Sequence, residues 1–281
     1  MKLSCRLEVL PGASVREQFS RAADFGFDGV GLPGRMLDRY LTDLLGSLSD
    51  LPIPPMSLSL GFESSVLHPE ATERRRCHDS LKRLMDICVE LGVKRLNVPP
   101  VLNQDNPLRI SDAGEFASLS ERLDALFLEQ LREIGEEAKQ RQLIFLLEPV
   151  NRFESDYLHS IEHGARLCRQ LAHDSVGMTV DAFHMQLEEL SPEAAIRQAG
   201  ETIRHVHIAE NTRVEPGPGS LDLRGVFRGL QSLGYDDWIE VECRHLSGEA
   251  KKVLPRSVEY VRALWKESEC NEVHQSDLTS N

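Results

Sequence analysis

LIFLLEPVNRFESDYLHSIEHGARLCRQL, residues 143–171, holds one full turn of this chain's repeating pattern. Leu143 to Leu147 form an unbroken apolar run of strand length. Such a run predicts a strand covered on both faces, as in a parallel sheet. From Ser160 to Leu171 apolar residues recur at helical spacing. Between the two sits a polar connection that begins with Glu148. An ionised carboxylate beside a buried strand is costly unless something positive meets it. The unit is therefore strand, acid, loop, helix.

Working outward, the same alternation fills the chain. Candidate strands are Leu3–Val9, Gly29–Leu32, Met56–Leu60, Arg95–Val98, Leu143–Glu148, Gly177–Asp181, Ile203–Ala209 and Trp238–Glu242. Helical patterns fall near Val15–Phe25, Met36–Leu48, Glu70–Leu91, Phe116–Arg141, Ser160–Leu171, Pro192–Ala199, Leu223–Leu233 and Glu249–Lys266. AADFGFDGV, VELGVKRL and SLGYDDWIEV each end a helix at glycine just before a strand. Eight strand–helix units predict an α/β protein of one domain, a closed (β/α)8 TIM barrel spanning residues 1–267. A doubly wound sheet would want a glycine-rich loop after the first strand, and there is none. Beyond residue 267 the apolar period is lost, so 268–281 reads as a flexible C-terminal tail. Two connections, GFESSVLHPEAT after the third strand and PPVLNQDNPLRISDAGEF after the fourth, are long enough to cover a substrate.

Composition narrows the function. Of 281 residues 41% are hydrophobic and 27% charged, and the formal net charge is −13. That charge opposes a nucleic-acid partner, since phosphate backbones need a basic footprint. The one dense basic run, ERRRC at 73–77, lies in a predicted helix and reads as a solvated face. No stretch approaches the length of a membrane helix, and the opening MKLSCRLEVLPGAS reads as a first strand rather than a signal peptide. The six cysteines show no CxxC spacing, which predicts reduced thiols and a cytoplasmic location.

The chemistry gathers at the strand ends, where barrel active sites lie. Glu148 ends the fifth strand, and Asp181 ends the sixth, with His184 just beyond it. His205 and His207 share one face of the seventh strand, and Glu240 and Glu242 share one face of the eighth. Glu148, Asp181, His207 and Glu242 can thus converge from four consecutive strands. Three carboxylates and an imidazole repel one another as a bare cluster, and a divalent cation is the natural remedy. Oxygen-rich ligation with one nitrogen suits Mn2+, Mg2+ or Co2+.

LEPVNRFES, VDAFHMQLEE, VHIAENTRVEPGPGSLD and WIEVECR also resemble the sugar isomerase/epimerase branch of the xylose isomerase-like TIM barrels, with D-tagatose and D-psicose 3-epimerases as the named relatives. The resemblance implies one divalent metal ion, Mn2+ first, with Mg2+, Co2+ or Zn2+ as alternatives, on Glu148, Asp181, His207 and Glu242. It further implies that Glu154, His184 and Arg213 contact the oxygens of a ketose or keto-polyol. Glu148 and Glu242 would be the acid/base pair of a cis-enediolate mechanism, and a homo-oligomer is allowed. Arg213 as a loop ion pair and Glu154 as a helix-start carboxylate near Arg152 stay open, with Arg152 itself structural. Two places depart from the relatives: GVGLPG at the end of the second strand, where an acid near Gly31 is common, and Ser220, where His is common. The same metal set also serves lyases of the inosose dehydratase type or those that cleave 3-keto-glycosides. More distant readings are a non-catalytic sugar-binding barrel and an endonuclease IV-like phosphodiesterase.

Strand parity adds one expectation independent of any family. If His207 points inward, so does His205, and Glu240 must join Glu242. A second His/Glu set then lies one step below the first, and neither member can be left unpaired cheaply. A His205–Glu240 hydrogen bond is the expected solution.

Overall fold

Eight strands close a parallel barrel in chain order, β1-β2-β3-β4-β5-β6-β7-β8, with β1 paired back to β8. The structure, a computed structural model, describes residues 1–100 and 119–278, the side chains of 119–120 and 269–278 excepted. The strands are β1 Lys2–Arg6, β2 Gly29–Pro33, β3 Pro55–Ser59, β4 Arg95–Val98, β5 Ile144–Leu147, β6 Val176–Asp181, β7 Ile203–Ile208 and β8 Trp238–Val241. Around them lie α1 Val15–Asp24, α2 Leu37–Ser47, α3 Ala71–Leu91, α4 Leu119–Gln140, α5 Ile161–Leu171, α6 Ala182–Glu188, α7 Pro192–Ala199, α8 Leu223–Ser232 and α9 Ala250–Leu278. This is the (β/α)8 TIM barrel that the alternation predicts.

Local chemistry explains where the helices begin and end. Ser14, Ser160 and Ser191 cap α1, α5 and α7 through their hydroxyls, and Asp222 caps α8. Each supplies an acceptor to a backbone N–H that has no partner within the helix. Gly92 ends α3 in the left-handed conformation, which costs glycine little.

Three details differ from the sequence reading. The first strand stops at Arg6, and Leu7–Val9 is a 3-10 turn, closed by Leu10 N–H donating to Leu7 C=O at 3.1 Å. Beyond Arg6 neither β2 nor β8 offers a ladder partner, so the chain turns back on itself. The helix α6 was not among the predicted ones, because seven residues are too few to show a period. The last helix runs on to Leu278, through the point where the apolar pattern ends, and 279–281 lie outside the described residues. Most of the long connection after β4 also lies outside them.

Apolar side chains fill the layer between the strands and helices, with Phe19, Phe127, Phe145 and Phe227 fully buried there. Inside the barrel the chemistry is different. Such interiors are ordinarily stacked with Val, Ile and Leu, whereas here Ser57, Asn97, Thr179, His205 and Glu240 are all buried. They are wired across the lumen. Ser57 Oγ donates to Glu240 Oε2 at 2.5 Å, and Thr179 Oγ1 donates to Asn97 Oδ1 at 2.7 Å.

Candidate metal centre and its pocket

The ends of β5 to β8 carry three carboxylates and one histidine into one place. Asp181 closes β6 and stands in register with His207 of β7. Glu148 follows β5, and Glu242 follows β8 with its N–H donating to Ile208 C=O. Glu148, Asp181, His207 and Glu242 each offer a ligand atom, and those atoms lie within 4.8 Å of one another. All but the partly exposed Glu242 are buried.

His207 Nδ1 sits between two carboxylates, 3.0 Å from Glu148 Oε1 and 3.3 Å from Glu242 Oε2. Burial alone would lower its pKa, but Glu242 and Glu148 outweigh burial and hold it well above the ordinary histidine range. Burial likewise works to raise Glu242, yet His207, Arg6 and Arg213 keep its carboxyl well below the usual range. Arg213 supplies the second cation, with Nη1 donating to Asp181 Oδ2 at 2.8 Å and Nη2 lying 3.5 Å from Glu242 Oε2. Its backbone takes φ of 60°, a strained conformation for arginine, and its guanidinium lies 4.3 Å from the Phe183 ring. The three carboxylates are therefore arranged around positive charge. That donor set and its compactness fit a divalent ion held by oxygen and one imidazole nitrogen.

Asp181 divides its oxygens between two tasks. Oδ1 accepts from Phe183 N–H and so caps α6, while Oδ2 faces the cluster. The first turn of α6 then delivers His184, whose Nε2 lies 3.5 Å from Asp181 Oδ2. Asn151 supports it from the other side: its backbone N–H donates to His184 Nδ1 at 3.3 Å, and its amide nitrogen lies 2.7 Å from the same atom. With two donors aimed at Nδ1, the proton of neutral His184 belongs on Nε2. The Asn151 amide also donates to Glu154 Oε1 at 3.2 Å, and Arg244 donates to Glu154 Oε2 at 2.8 Å. Arg152 instead makes a two-pronged pair with Glu188 on α6.

A cavity of about 490 Å³ opens onto this centre, with Glu148, Glu154, His184, Arg213 and Glu242 all in its lining. The structure thus gathers the residues that the sequence singles out. It also adds Arg6, Asn97, Asn151 and Arg244, which the sequence reading left without a role. Asn97 and Arg6 do carry a signal: each is a polar residue inside an apolar strand, on the inward parity. Apolar lining comes from residues such as Leu60, Pro99 and Val150, and among the described lining residues there is no Phe, Tyr or Trp.

Below the centre, His205 and Glu240 both point inward, as parity requires. His205 Nε2 lies 3.3 Å from Glu240 Oε2, but off the line of a well-formed hydrogen bond, and both ring nitrogens stay unpartnered among the described residues. Burial pushes His205 down to about 4, so this imidazole is neutral at pH 7. Burial would raise Glu240, yet His205 and Arg6 draw it down to about 2. His205, His207 and Glu240 also bring ligand atoms within 4.8 Å. Here, however, Ser57 donates to Glu240 Oε2, and the Arg6 guanidinium faces Oε1 as an ion pair at 3.5 Å. This lower set is compensated by an arginine rather than arranged for a cation.

The model of the xylose isomerase-like TIM barrel matches residues 19–264. A 3-dehydro-D-guloside 4-epimerase of Escherichia coli is 22% identical over 264 residues, covering 93% of this chain and 99% of that protein. A probable ketose 3-epimerase of Synechocystis is 28% identical over 226 residues, covering 80% and 76%. Among solved structures, a 3-keto-D-glucoside 4-epimerase of E. coli superposes with a TM-score of 0.82 at 22% identity, covering 94% and 99%. A D-psicose 3-epimerase of Clostridium cellulolyticum with D-tagatose gives 0.79 at 21%, again covering 94% and 99%. At these identities the superpositions speak for the fold.

Proposed function

The chain belongs to the xylose isomerase-like TIM barrel family, and from that premise we propose that it is a divalent-metal-dependent epimerase or isomerase of a ketose or keto-polyol. Glu148, Asp181, His207 and Glu242 hold the ion, with Mn2+ preferred and Mg2+, Co2+ or Zn2+ as alternatives. One observation carries the reading: Glu148 and Glu242 flank His207 Nδ1 from two sides while both line the cavity. Relatives whose names specify ketose and keto-glycoside epimerases support it.

A C–H beside a carbonyl is too weakly acidic for an unaided carboxylate. The bound ion, as a Lewis acid on the substrate's oxygens, would stabilise the developing cis-enediolate by several kcal/mol. Glu148 and Glu242 do the proton work. One carboxylate removes the C–H proton from one face of the sugar, and the other returns a proton to the opposite face, inverting the centre. Arg213 holds a substrate oxygen, and the His184 Nε2–H and Glu154 fix the register of the hydroxyls. Asn151 keeps both of those side chains in place.

The test is solvent-deuterium incorporation into a panel of ketoses, keto-glycosides and inososes with Mn2+. Formation of an epimer with one C–D bond and no lost group is expected. Loss of water or of an aglycone would make the protein a lyase, and absence of exchange in every substrate would overturn the reading. Glu148→Gln and Glu242→Gln should each lower turnover about 10²- to 10⁴-fold, the usual contribution of a positioned acid or base. Unchanged exchange in either variant would refute the two-carboxylate mechanism.

A further inference from the structure

The two carboxylates assigned to proton transfer are held differently. Glu148 Oε1 faces His207, and its Oε2 accepts from the Asn97 amide at 2.7 Å; Asn97 is itself fixed by Thr179. Glu242 Oε2 faces His207 and Arg213, and its Oε1 lies 3.2 Å from Arg6 Nη1. Each acid thus turns one oxygen to the metal cluster and gives the other to a single holder. For Glu148 the holder is a neutral amide on β4, and for Glu242 it is a guanidinium on β1.

Arg6 is built into its place. It is 5% exposed, and its Nη2 reaches Glu8 Oε1 at 3.4 Å. The same Nη1 that faces Glu242 lies 3.5 Å from Glu240 Oε1 and completes no well-formed hydrogen bond with either. Glu240 is fully buried and anchored by Ser57 on its other oxygen. Room for it comes from Gly31 on β2, where a Cβ would stand 2.2 Å from Glu240 Oε1. Buried carboxylate, arginine and cavity-facing carboxylate therefore form a line from the barrel floor to the pocket. A paired, buried guanidinium is a stiff device, because moving it would strand Glu240 without its counter-charge.

We propose that Arg6 is a positioning residue for the reaction: through Nη1 it holds Glu242 Oε1 toward the substrate and leaves Oε2 to the metal cluster, with Glu240 as its anchor. The inference rests on the epimerase reading of the site. It predicts that proton transfer on the Glu242 face of the sugar depends on Arg6, whereas transfer on the Glu148 face does not.

Arg6→Met strands Glu240, so the informative variant is Arg6→Met with Glu240→Gln, compared with Glu240→Gln alone and with Arg6→Lys. In the double variant kcat should fall about 10- to 100-fold, the usual effect of losing a residue that orients a metal ligand, with KM nearly unchanged. Arg6→Lys should restore part of that loss. The primary deuterium isotope effect should rise for the epimer whose C–H faces Glu242 and not for its partner. Metal content by plasma mass spectrometry should stay near one ion per chain, and a crystal structure of the variant should show the Glu242 carboxylate rotated. A kcat within twofold of wild type would overturn the inference. So would an equal isotope-effect change for both epimers, or activity recovered by excess metal alone. Failure of the epimerase reading looks different: the wild-type protein itself would exchange no substrate proton.

Discussion

Gly31 shows how one missing side chain shapes a site. Its hypothetical Cβ would meet Glu240 Oε1, Cδ and Oε2 at 2.2, 2.5 and 2.6 Å. Gly31→Ala must therefore displace a buried, ionised carboxylate that Ser57 and Arg6 hold. A loss of about 1–3 kcal/mol is expected, as for other overpacked interiors, read as a lower urea midpoint. Gly31→Ala with Glu240→Ala should recover part of it, whereas a fully additive loss would show that the two positions do not compete. The lower set also titrates. His205 has its folded pKa depressed to about 4, so it stays neutral while the unfolded chain takes up a proton below about 6.5. Stability contributed by that difference is present above 6.5 and lost as pH falls toward 4. Glu240, drawn down to about 2, adds a second loss between about 4.5 and 2. His205→Asn should flatten the fall in urea midpoint between pH 6.5 and 4, and an unchanged slope would exclude His205 as its source. The inward pair was legible because period two leaves no choice once His207 is assigned. Its partners were not. Arg6 and Ser57 come from strands distant in the chain, and only the closed barrel brings them to Glu240.

At the level of elements, the loop after β5 and the short helix α6 form one support. Asn151 joins Glu154 to His184, and Arg152 clamps the loop to Glu188. These two joints differ in kind. Asn151 is buried, whereas Arg152 is largely exposed, and an exposed ion pair contributes about 0–1 kcal/mol. Asn151→Ala should cost about 1–3 kcal/mol through its lost hydrogen bonds. It should also lower kcat/KM by roughly tenfold or more, equivalent to about 1.4 kcal/mol, with metal content intact. Arg152→Ala should leave kcat/KM within about twofold. Equal effects in the two variants would mean that Asn151 is only a structural joint. The eight strands were readable as strand-length runs between helical patterns, three of which end at glycine, and their ends moved by only a few residues. What escaped was α6, which begins at the Asp181 cap rather than in any apolar rhythm.

On the scale of the whole molecule, a barrel lumen lined by Ser57, Asn97, Thr179, His205 and Glu240 ties the site to the closure of the sheet. A divalent ion bound at the mouth stabilises only the folded chain, so Mn2+ should raise the unfolding temperature in proportion to the logarithm of its excess over Kd. Chelation should reverse that shift, and Asp181→Asn should diminish it; a temperature indifferent to Mn2+ would argue against the centre. The closure of the barrel carries a consequence in time. Arg6 sits on β1, whereas its partners Glu240, on β8, and Glu242, just after it, come from the other end of the chain. On a ribosome the first strand emerges and then waits on the order of tens of seconds while the rest is synthesised. Throughout that interval its guanidinium has Glu8 at hand but lacks Glu240 and Glu242, and the first strand lacks one neighbour. Both defects are repaired by the same late event. A nascent chain therefore acquires its sealed barrel and the ion pairs of Arg6 with Glu240 and Glu242 together, so that a polypeptide stalled before β8 is an open sheet rather than a slow enzyme.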